Sequence, residues 1–380
     1  GAVVRARTTV WQPRRWIALS LRYGTDLYVD LVTSTASTTF TDVGVALDNS
    51  RGMYLDGSSY TWWGAFVEGS AQFPLGFKLR AGGRLGTMSA EAPGDPASAS
   101  LSVDQTWVTP VGRGGFEWGP REWLTVLLNV DQGFRAPNLD DLTSRQQTGP
   151  GFQFENADLD PERSLTLETG LRFELRRFRA SAVFFWTRLT DAIVRAPRTR
   201  DQCPPNTLGC ESSWSRFQLV NAEAPSHILG TEATLYARIP GGFTLRATVA
   251  YTFGEGPNPG EPPSDQSIDW EPKVPLSRIP PLNGTVELRW HWREAGIFAS
   301  AGLRWALAQA RLALSDESDE RIPLGGTPGY AVLDLRAGYR FGEQILIALV
   351  FENVTDAAYR YHGSSINGPG RGLILNLELG

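Results

Sequence analysis

The residues best suited to chemistry are few and scattered. Cys203 and Cys210 lie in Asp-Gln-Cys-Pro-Pro-Asn-Thr-Leu-Gly-Cys, a turn-rich stretch. Two cysteines closing a small Pro/Gly loop predict a local disulfide formed in an oxidising compartment; two free surface thiols are the alternative. A metal site there would need further Cys or His ligands nearby, and the sequence offers none. His227, His291 and His362 stand far apart. There is no Gly-x-Ser-x-Gly elbow, Walker loop or His-Glu-x-x-His, so no motif points to an enzyme or to a resident cofactor. Asp316, Glu317, Asp319 and Glu320 form an acidic run that reads either as oxygen ligands for calcium or as a solvated face. The remaining candidates are cations and aromatics in loops and at strand ends: Arg135, Trp214, Arg216, His227, Trp270, Tyr361, His362 and Arg371. Rings of this kind stack on aromatic ligands, and guanidinium groups pair with anions. Each also has a plainer reading, as a Trp packed on its own loop or a His at the surface.

Composition limits what can hold these groups in place. Charged residues make up 20% of the 380, below the usual quarter of a soluble domain, while Gly 40, Pro 25 and Trp 13 are high. The net charge of −5 gives no electrostatic reason for a nucleic-acid partner. Mean hydropathy is −0.23, and no run of about 18 apolar residues exists, so a membrane-spanning helix is excluded. A membrane-spanning barrel is not, because its strands alternate and half of each stays polar. The chain starts at Gly1 without a basic and then apolar leader, which predicts a removed signal peptide or a start inside a longer protein.

The positioning elements are strands. Leu165, Leu167, Leu171, Phe173 and Leu175 alternate with Thr166, Glu168, Gly170, Arg172 and Glu174. The same period of two runs through 243–253, 333–341 and 371–379. About fifteen such strands are expected, near 2–10, 15–32, 59–72, 76–88, 105–118, 121–134, 164–175, 178–193, 216–239, 242–254, 277–291, 296–311, 329–341, 343–353 and 370–379. Short connections (11–14, 73–75, 119–120, 176–177, 240–241, 292–295 and 342) alternate with long ones (33–58, 89–104, 135–163, 194–215, 255–276, 312–328 and 354–369). Tight periplasmic turns and long extracellular loops are the habit of outer-membrane barrels. Aromatic pairs flank the short set: Trp11 and Trp16, Phe73 and Phe77, Trp118 and Trp123, Trp290 and Trp292, Tyr339 and Phe341. They predict an interfacial girdle. The expectation is an all-β, transmembrane, antiparallel up-and-down β-barrel over 1–380. Its apolar face meets lipid. Its lumen carries Glu168, Arg172, Arg246, Glu287, Arg289, Arg304, Asp334, Arg336, Asn376 and Glu378.

A set of ordered motifs then resembles a known family. Gly133-Phe-Arg-Ala-Pro-Asn-Leu-Asp-Asp-Leu142 precedes a long loop ending in Glu155-Asn-Ala-Asp-Leu-Asp-Pro-Glu-Arg-Ser164, and Leu167-Glu-Thr-Gly-Leu-Arg172 follows. Near the end stand Asn353-Val-Thr-Asp-Ala-Ala-Tyr359 and Tyr361-His-Gly-Ser-Ser-Ile-Asn-Gly-Pro-Gly-Arg371. Tyr23-Gly-Thr-Asp26 and Arg51-Gly-Met-Tyr-Leu-Asp-Gly57 fit more loosely. Together they resemble the carboxy-terminal two-thirds of the barrel of TonB-dependent outer-membrane receptors. The resemblance implies a barrel of about 22 strands filled by an amino-terminal plug, so this chain would hold about fifteen of them, with neither plug nor TonB box in view.

Such receptors take up scarce, large nutrients (ferric siderophores, haem or similar) at the bacterial outer membrane, with TonB as the energy-coupling partner. Two barrel glutamates of the family face plug arginines; here they match Glu168 and, in Gly230-Thr-Glu232, Glu232. The loop candidates above become binding groups for an anionic or aryl iron chelate, and His227 or His362 a ligand for haem iron. Arg135 and Arg371 sit in family motifs at strand ends, where a structural role competes. Departures from the pattern are the odd strand count and the ending Leu379-Gly380 without an aromatic residue. A passive plugless channel and a surface binding or adhesion barrel remain alternatives.

Overall fold

The computed structural model describes residues 1–8, 11–14, 17–49, 51–205, 207–265, 267, 269–342 and 344–379. One sheet of 17 strands dominates it. β1 (Ala2–Arg7) and then β2 (Trp11–Arg14) pair with β3 (Ile17–Val32). A separate hairpin of β4 (Ser37–Phe40) and β5 (Val45–Asp48) follows. The sheet resumes with β6 (Ser58–Gln72), β7 (Phe77–Ala92), β8 (Val103–Arg121) and β9 (Leu124–Arg135), each antiparallel to the last. Outside it come α1 (Leu139–Thr143), β10 (Gln146–Gln147) and β11 (Phe152–Phe154). β12 (Glu162–Leu175) and β13 (Phe178–Thr190) return to it, and β14 (Ile193–Pro197), α2 (Leu208–Ser212) and β15 (Arg216–Asn221) leave it again. β16 (Ser226–Ile239) and β17 (Phe243–Pro257) follow, with β18 (Lys273–Pro275) and β19 (Asn283–Trp292) both alongside β17. β20 (Ile297–Ala306), the single turn α3 (Leu314–Glu317), β21 (Tyr330–Phe341), β22 (Ile345–Glu352) and β23 (Gly372–Leu379) complete the order.

β2 prolongs the line of β1, and β18 shares that of β19, so the sheet has fifteen positions and each expected strand falls on one. Several boundaries differ. Residues 119–120, expected as a turn, lie within β8, and β20 stops at Ala306 where the strand was expected to reach 311. Residues 11–14, expected as a turn, are β2. The expected strand 216–239 is two strands: β15 joins a four-stranded sheet with β10, β11 and β14, and only β16 belongs to the main sheet. Asn221 donates to the carbonyls of Asp160 and Asp191 at 2.8 Å each, and Pro225 has no N–H to continue a ladder. Pro280 and Pro281 likewise delay β19 to Asn283. The expected closure is not made by hydrogen bonds among the described residues, where β1 pairs with β3 and β23 with β22. Trp16 lies outside those residues, as does the side chain of Trp11.

Register sorts the side chains onto two faces. Glu168 lies opposite Asn129 and Phe185, and successive pairs carry that face through Thr252, Arg246, Glu287, Arg304, Asp334 and Asn376. The other face carries Leu167, Leu171, Phe184, Val249, Leu288, Leu303, Leu335, Leu349 and Leu375, all exposed. At its short-turn end aromatic rings gather. Phe77 stacks on Trp118 at 5.8 Å, Trp123 on Phe173 at 6.3 Å, and Tyr339 meets Phe341 edge-on at 4.2 Å.

The buried core is at the opposite end, where the long loops fold over the strand ends. Met88, Ala90, Ala92, Val103 and Trp107 of β7 and β8 pack with Leu55, Leu139, Leu142, Leu159 and Leu219. Asn138 caps α1 by accepting from the Asp141 amide at 2.9 Å, while Asp141 accepts from the Asn138 amide at 3.0 Å. That reciprocal cap fixes Leu139 and Leu142 under the loops. Truncating Leu142, only 1% exposed, to alanine is expected to cost about 2–5 kcal/mol. Amide exchange should quicken at 139–144 and stay unchanged in β12 and β13; equal quickening in both would refute a locally packed roof.

Candidate functional site

The loop roof is held by carboxylates that each serve more than one cation. Glu155 accepts from Arg145 Nε at 2.8 and 2.7 Å and lies 3.5 Å from Arg51 Nη1. Arg145 also donates to the Ser98 carbonyl and to Thr207 Oγ1, at 2.9 and 3.0 Å. Arg51 donates to Ser100 Oγ at 2.6 Å and to the carbonyl of Thr143. Burial, opposed by Glu155, holds the Arg51 guanidinium below its usual range. Four long loops thus meet on one buried ion cluster.

A second cluster sits across the roof. Asp319, buried to 2%, accepts from Arg278 Nη2 at 2.5 Å and from Arg321 Nε and Nη2 at 2.8 Å each. Asp316, equally buried, accepts from Ser277 Oγ at 2.5 Å and the Arg278 amide at 2.9 Å. These two aspartates are therefore neither a calcium site nor a solvated face; arginines and backbone donors neutralise them. Glu317 and Glu320 of the same run are exposed. No metal-binding group of His, Cys, Asp and Glu occurs among the described residues.

Two clefts open in the roof. One, of about 370 Å³, is lined by Arg135, Gln153, Glu162, Arg195, Leu276 and Ser315 among others. Arg135 is spent on structure, bonding Glu162 Oε2 and Asp141 Oδ2 at 2.5 Å each. Arg195 is different. Its Nε donates to Gln153 Oε1 at 3.2 Å, and no carboxylate lies within ion-pair distance among the described residues. Burial holds its guanidinium below the usual range, Arg278 and Arg321 push the same way, and Asp319 and Asp140 oppose them. A partly buried cation without its own anion is costly to keep unpaired, so this position can accept an anion. The second cleft, about 620 Å³, is lined by Arg198, Asn258, Trp270, Glu271 and Glu317 among others, and shares Val274, Pro275 and Leu314 with the first. The indole N–H of Trp270 is buried there without a partner among the described residues.

The structure separates the other sequence candidates. Tyr361 lies exposed beside Tyr359 and Tyr330, both edge-on to it at 5.7 and 5.8 Å, and its hydroxyl accepts from Arg304 at 2.9 Å. His362 bonds Thr327 Oγ1 through Nδ1 at 2.9 Å. Burial lowers its pKa, Asp316 and Asp319 oppose that, and Arg278 adds to it. Arg371 is tied to Asp356 through its backbone amide at 3.1 Å. Arg216 donates to the carbonyls of Cys210 and Glu211, at 2.6 and 2.8 Å, beside the bonded pair Cys203–Cys210, whose Cα atoms are 5.9 Å apart. Trp214 is 66% exposed and clear of both clefts. His227 lies on the apolar face of the sheet, opposite Arg188, and not on the charged face.

Glu168 and Glu232 share the charged face, opposite Phe185 and Val183 of β13 respectively. Glu168 accepts from Asn129 Nδ2 at 2.7 Å; Glu232 is exposed and bonds nothing among the described residues. Sequence reasoning missed Arg195, Arg145 and Arg278, and singled out Asp319 only as part of an acidic run. No local spacing marks them, since each acts with residues from a different loop.

The model of a family described as TonB dependent receptor-like, beta-barrel, matches residues 4–354. Curated proteins give no match. Among solved structures, the copper transporter OprC superposes with TM-score 0.76 at 18% identity, over 99% of this chain and 56% of its own. The haemophore receptor HasR of Serratia marcescens, solved as a double mutant with HasA and haem, gives 0.73 at 17%, over 99% and 58%. The ferric-catecholate import receptor Fiu from K12 E. coli gives 0.66 at 15%, over 99% and 54%. The chain thus spans little more than half the length of these similar structures.

Glu155 is the shared anion of the first cluster, so Glu155→Gln leaves two buried guanidiniums short of a partner. A cost of about 3–5 kcal/mol is expected. Limited proteolysis should then cut within 89–104 and 194–215 while β12 and β13 stay intact; unchanged resistance would show that Glu155 does not hold the roof.

Proposed function

The chain belongs to the TonB-dependent receptor β-barrel family, and from that premise we propose that it forms the lumenal wall and extracellular roof of an outer-membrane uptake receptor. The observation that carries this is the two-faced register. One face is apolar from strand to strand with aromatic rings at its short-turn end, and the other is charged and lies beneath a roof of loops. In hydrocarbon every backbone polar group needs a partner within the protein, which a laddered sheet supplies. The short turns then lie in the periplasm and the long loops outside. Cargo is an anionic chelate of a scarce metal, of the iron-siderophore or haem kind, with Arg195 as the cation that meets its charge in the first cleft. Glu168 and Glu232 face plug arginines of the complete receptor, where charge-assisted pairs hold the plug until TonB, driven by proton-motive force, displaces it. Aromatic Trp270 and Tyr361 border the path in.

Uptake of a ferric chelate by cells expressing the protein should stop when TonB is deleted or a protonophore is added, with surface binding retained. Uptake that persists in both conditions would favour a passive channel. Independently, Leu171→Arg on the apolar face is expected to cost about 2–4 kcal/mol of folding free energy in bilayers. Asn376→Arg on the charged face should change it by less than about 0.5 kcal/mol. Equal effects in a denaturant titration would refute the facing.

A further inference from the structure

One sector of the outward face changes character at its loop end. Along β13 the outward residues run Phe178, Ala180, Ala182, Phe184, Trp186 and then Arg188; along β12 they run from Leu175 to Leu165 and end in Arg163. At usual strand rise and tilt, Leu175 to Leu165 spans roughly 25 Å, the height of an apolar band in a membrane barrel. Above it, Leu165, Arg188, His227 and Glu255 form one cross-strand row, directly over the row Leu167, Trp186, Leu229 and Phe253. Trp186 stacks on the His227 ring at 5.8 Å and 16°. Glu255 is taken by Lys273 at 3.8 Å. Arg163 and Arg188 are exposed, and neither meets a carboxylate among the described residues.

The rest of this rim differs. β7 and β8 set Glu91 opposite Asp104. β20 and β21 end in Trp305 and Ala331, and β22 and β23 in Phe351 and Leu373. The positive surplus lies on β12 and β13, with Arg311 placed 4.0 Å over the Phe253 ring of the same outward face, at the height where hydrocarbon gives way to headgroups. Arginines there can extend upward from an aromatic layer. A zwitterionic or sugar headgroup leaves their charge unmatched, whereas a phosphate accepts paired N–H donors from a guanidinium. We infer that Arg163, Arg188 and His227 form a docking site for the phosphorylated headgroup of an outer-leaflet lipid, whose acyl chains lie on Leu165, Trp186 and Leu229. The site is distinct from the cargo clefts and faces the opposite side of the sheet.

This rests on the membrane-spanning reading, so insertion is measured separately. The full-length protein and its Arg163→Gln/Arg188→Gln variant are reconstituted in nanodiscs containing either diphosphorylated lipid A or the same lipid dephosphorylated. Heat-modifiable migration reports folding, and native mass spectrometry counts retained lipid. Wild type should retain the phosphorylated lipid preferentially. The double variant should lose about fivefold of that preference per arginine, with migration unchanged, while Arg340→Gln at the short-turn end leaves it intact. Equal retention of both lipids by folded wild type overturns the inference and leaves the membrane reading standing, as does an unaltered preference in the double variant. Displacement of the bound lipid by millimolar inorganic phosphate would make the site one for free anions and overturn the lipid assignment. Failure to insert overturns both readings.

Discussion

The pairing of backbone hydrogen-bond groups in one continuous antiparallel ladder is the constraint on which the rest of this protein depends. A strand leaves half its N–H and C=O groups bare on each side, and hydrocarbon offers them nothing. Strand after strand therefore adds in chain order from β3 to β23. Once the ladder is set, period-two alternation assigns every side chain to one of two solvents. A one-residue slip would turn Leu167 inward and Glu168 outward.

The same ladder explains why the protein has a core at one end only. Short turns leave nothing to fold over the strands. The long loops do, and they bring apolar residues such as Leu55, Leu142 and Leu219 onto Met88 and Trp107. Long loops carry many polar groups, so the roof also needs ions. Glu155 and Asp319 each meet two arginines, and satisfied networks of this kind order segments that have no regular structure of their own. Arg195 differs: its guanidinium is partly buried, its one side-chain bond among the described residues is to the Gln153 amide, and it lines a cleft. The proposed cargo site rests on this unmatched charge inside an otherwise matched roof.

Function in such a protein divides between its two faces. Charged side chains on the inner face suit a wetted passage and a removable plug. Apolar side chains on the outer face suit lipid acyl chains, and the arginines at the loop end of β12 and β13 suit lipid headgroups. His227 illustrates the division. The sequence offered it as a haem-ligand candidate; parity with Arg188 and Leu165 sets it on the apolar face.

What the sequence by itself determined is what depends on neighbours along the chain. Alternation placed all fifteen positions of the sheet and put Glu168, Arg246, Asp334 and Asn376 on one face, because strand periodicity is local. Ordered motifs around Arg135 and Asn353 pointed to the family that the barrel match then established. Proline breaks at Pro225 and Pro280 were present in the sequence too, yet their effect on β15 and β19 needed the partners on either side. Only the tertiary structure decided the roof. It showed that Asp316 and Asp319 are buried and held by Ser277, Arg278 and Arg321, that Arg216 supports the disulfide loop, and that Arg195 meets no carboxylate among the described residues. Those outcomes depend on which distant loops meet above the strands, and no spacing along a single chain encodes that meeting.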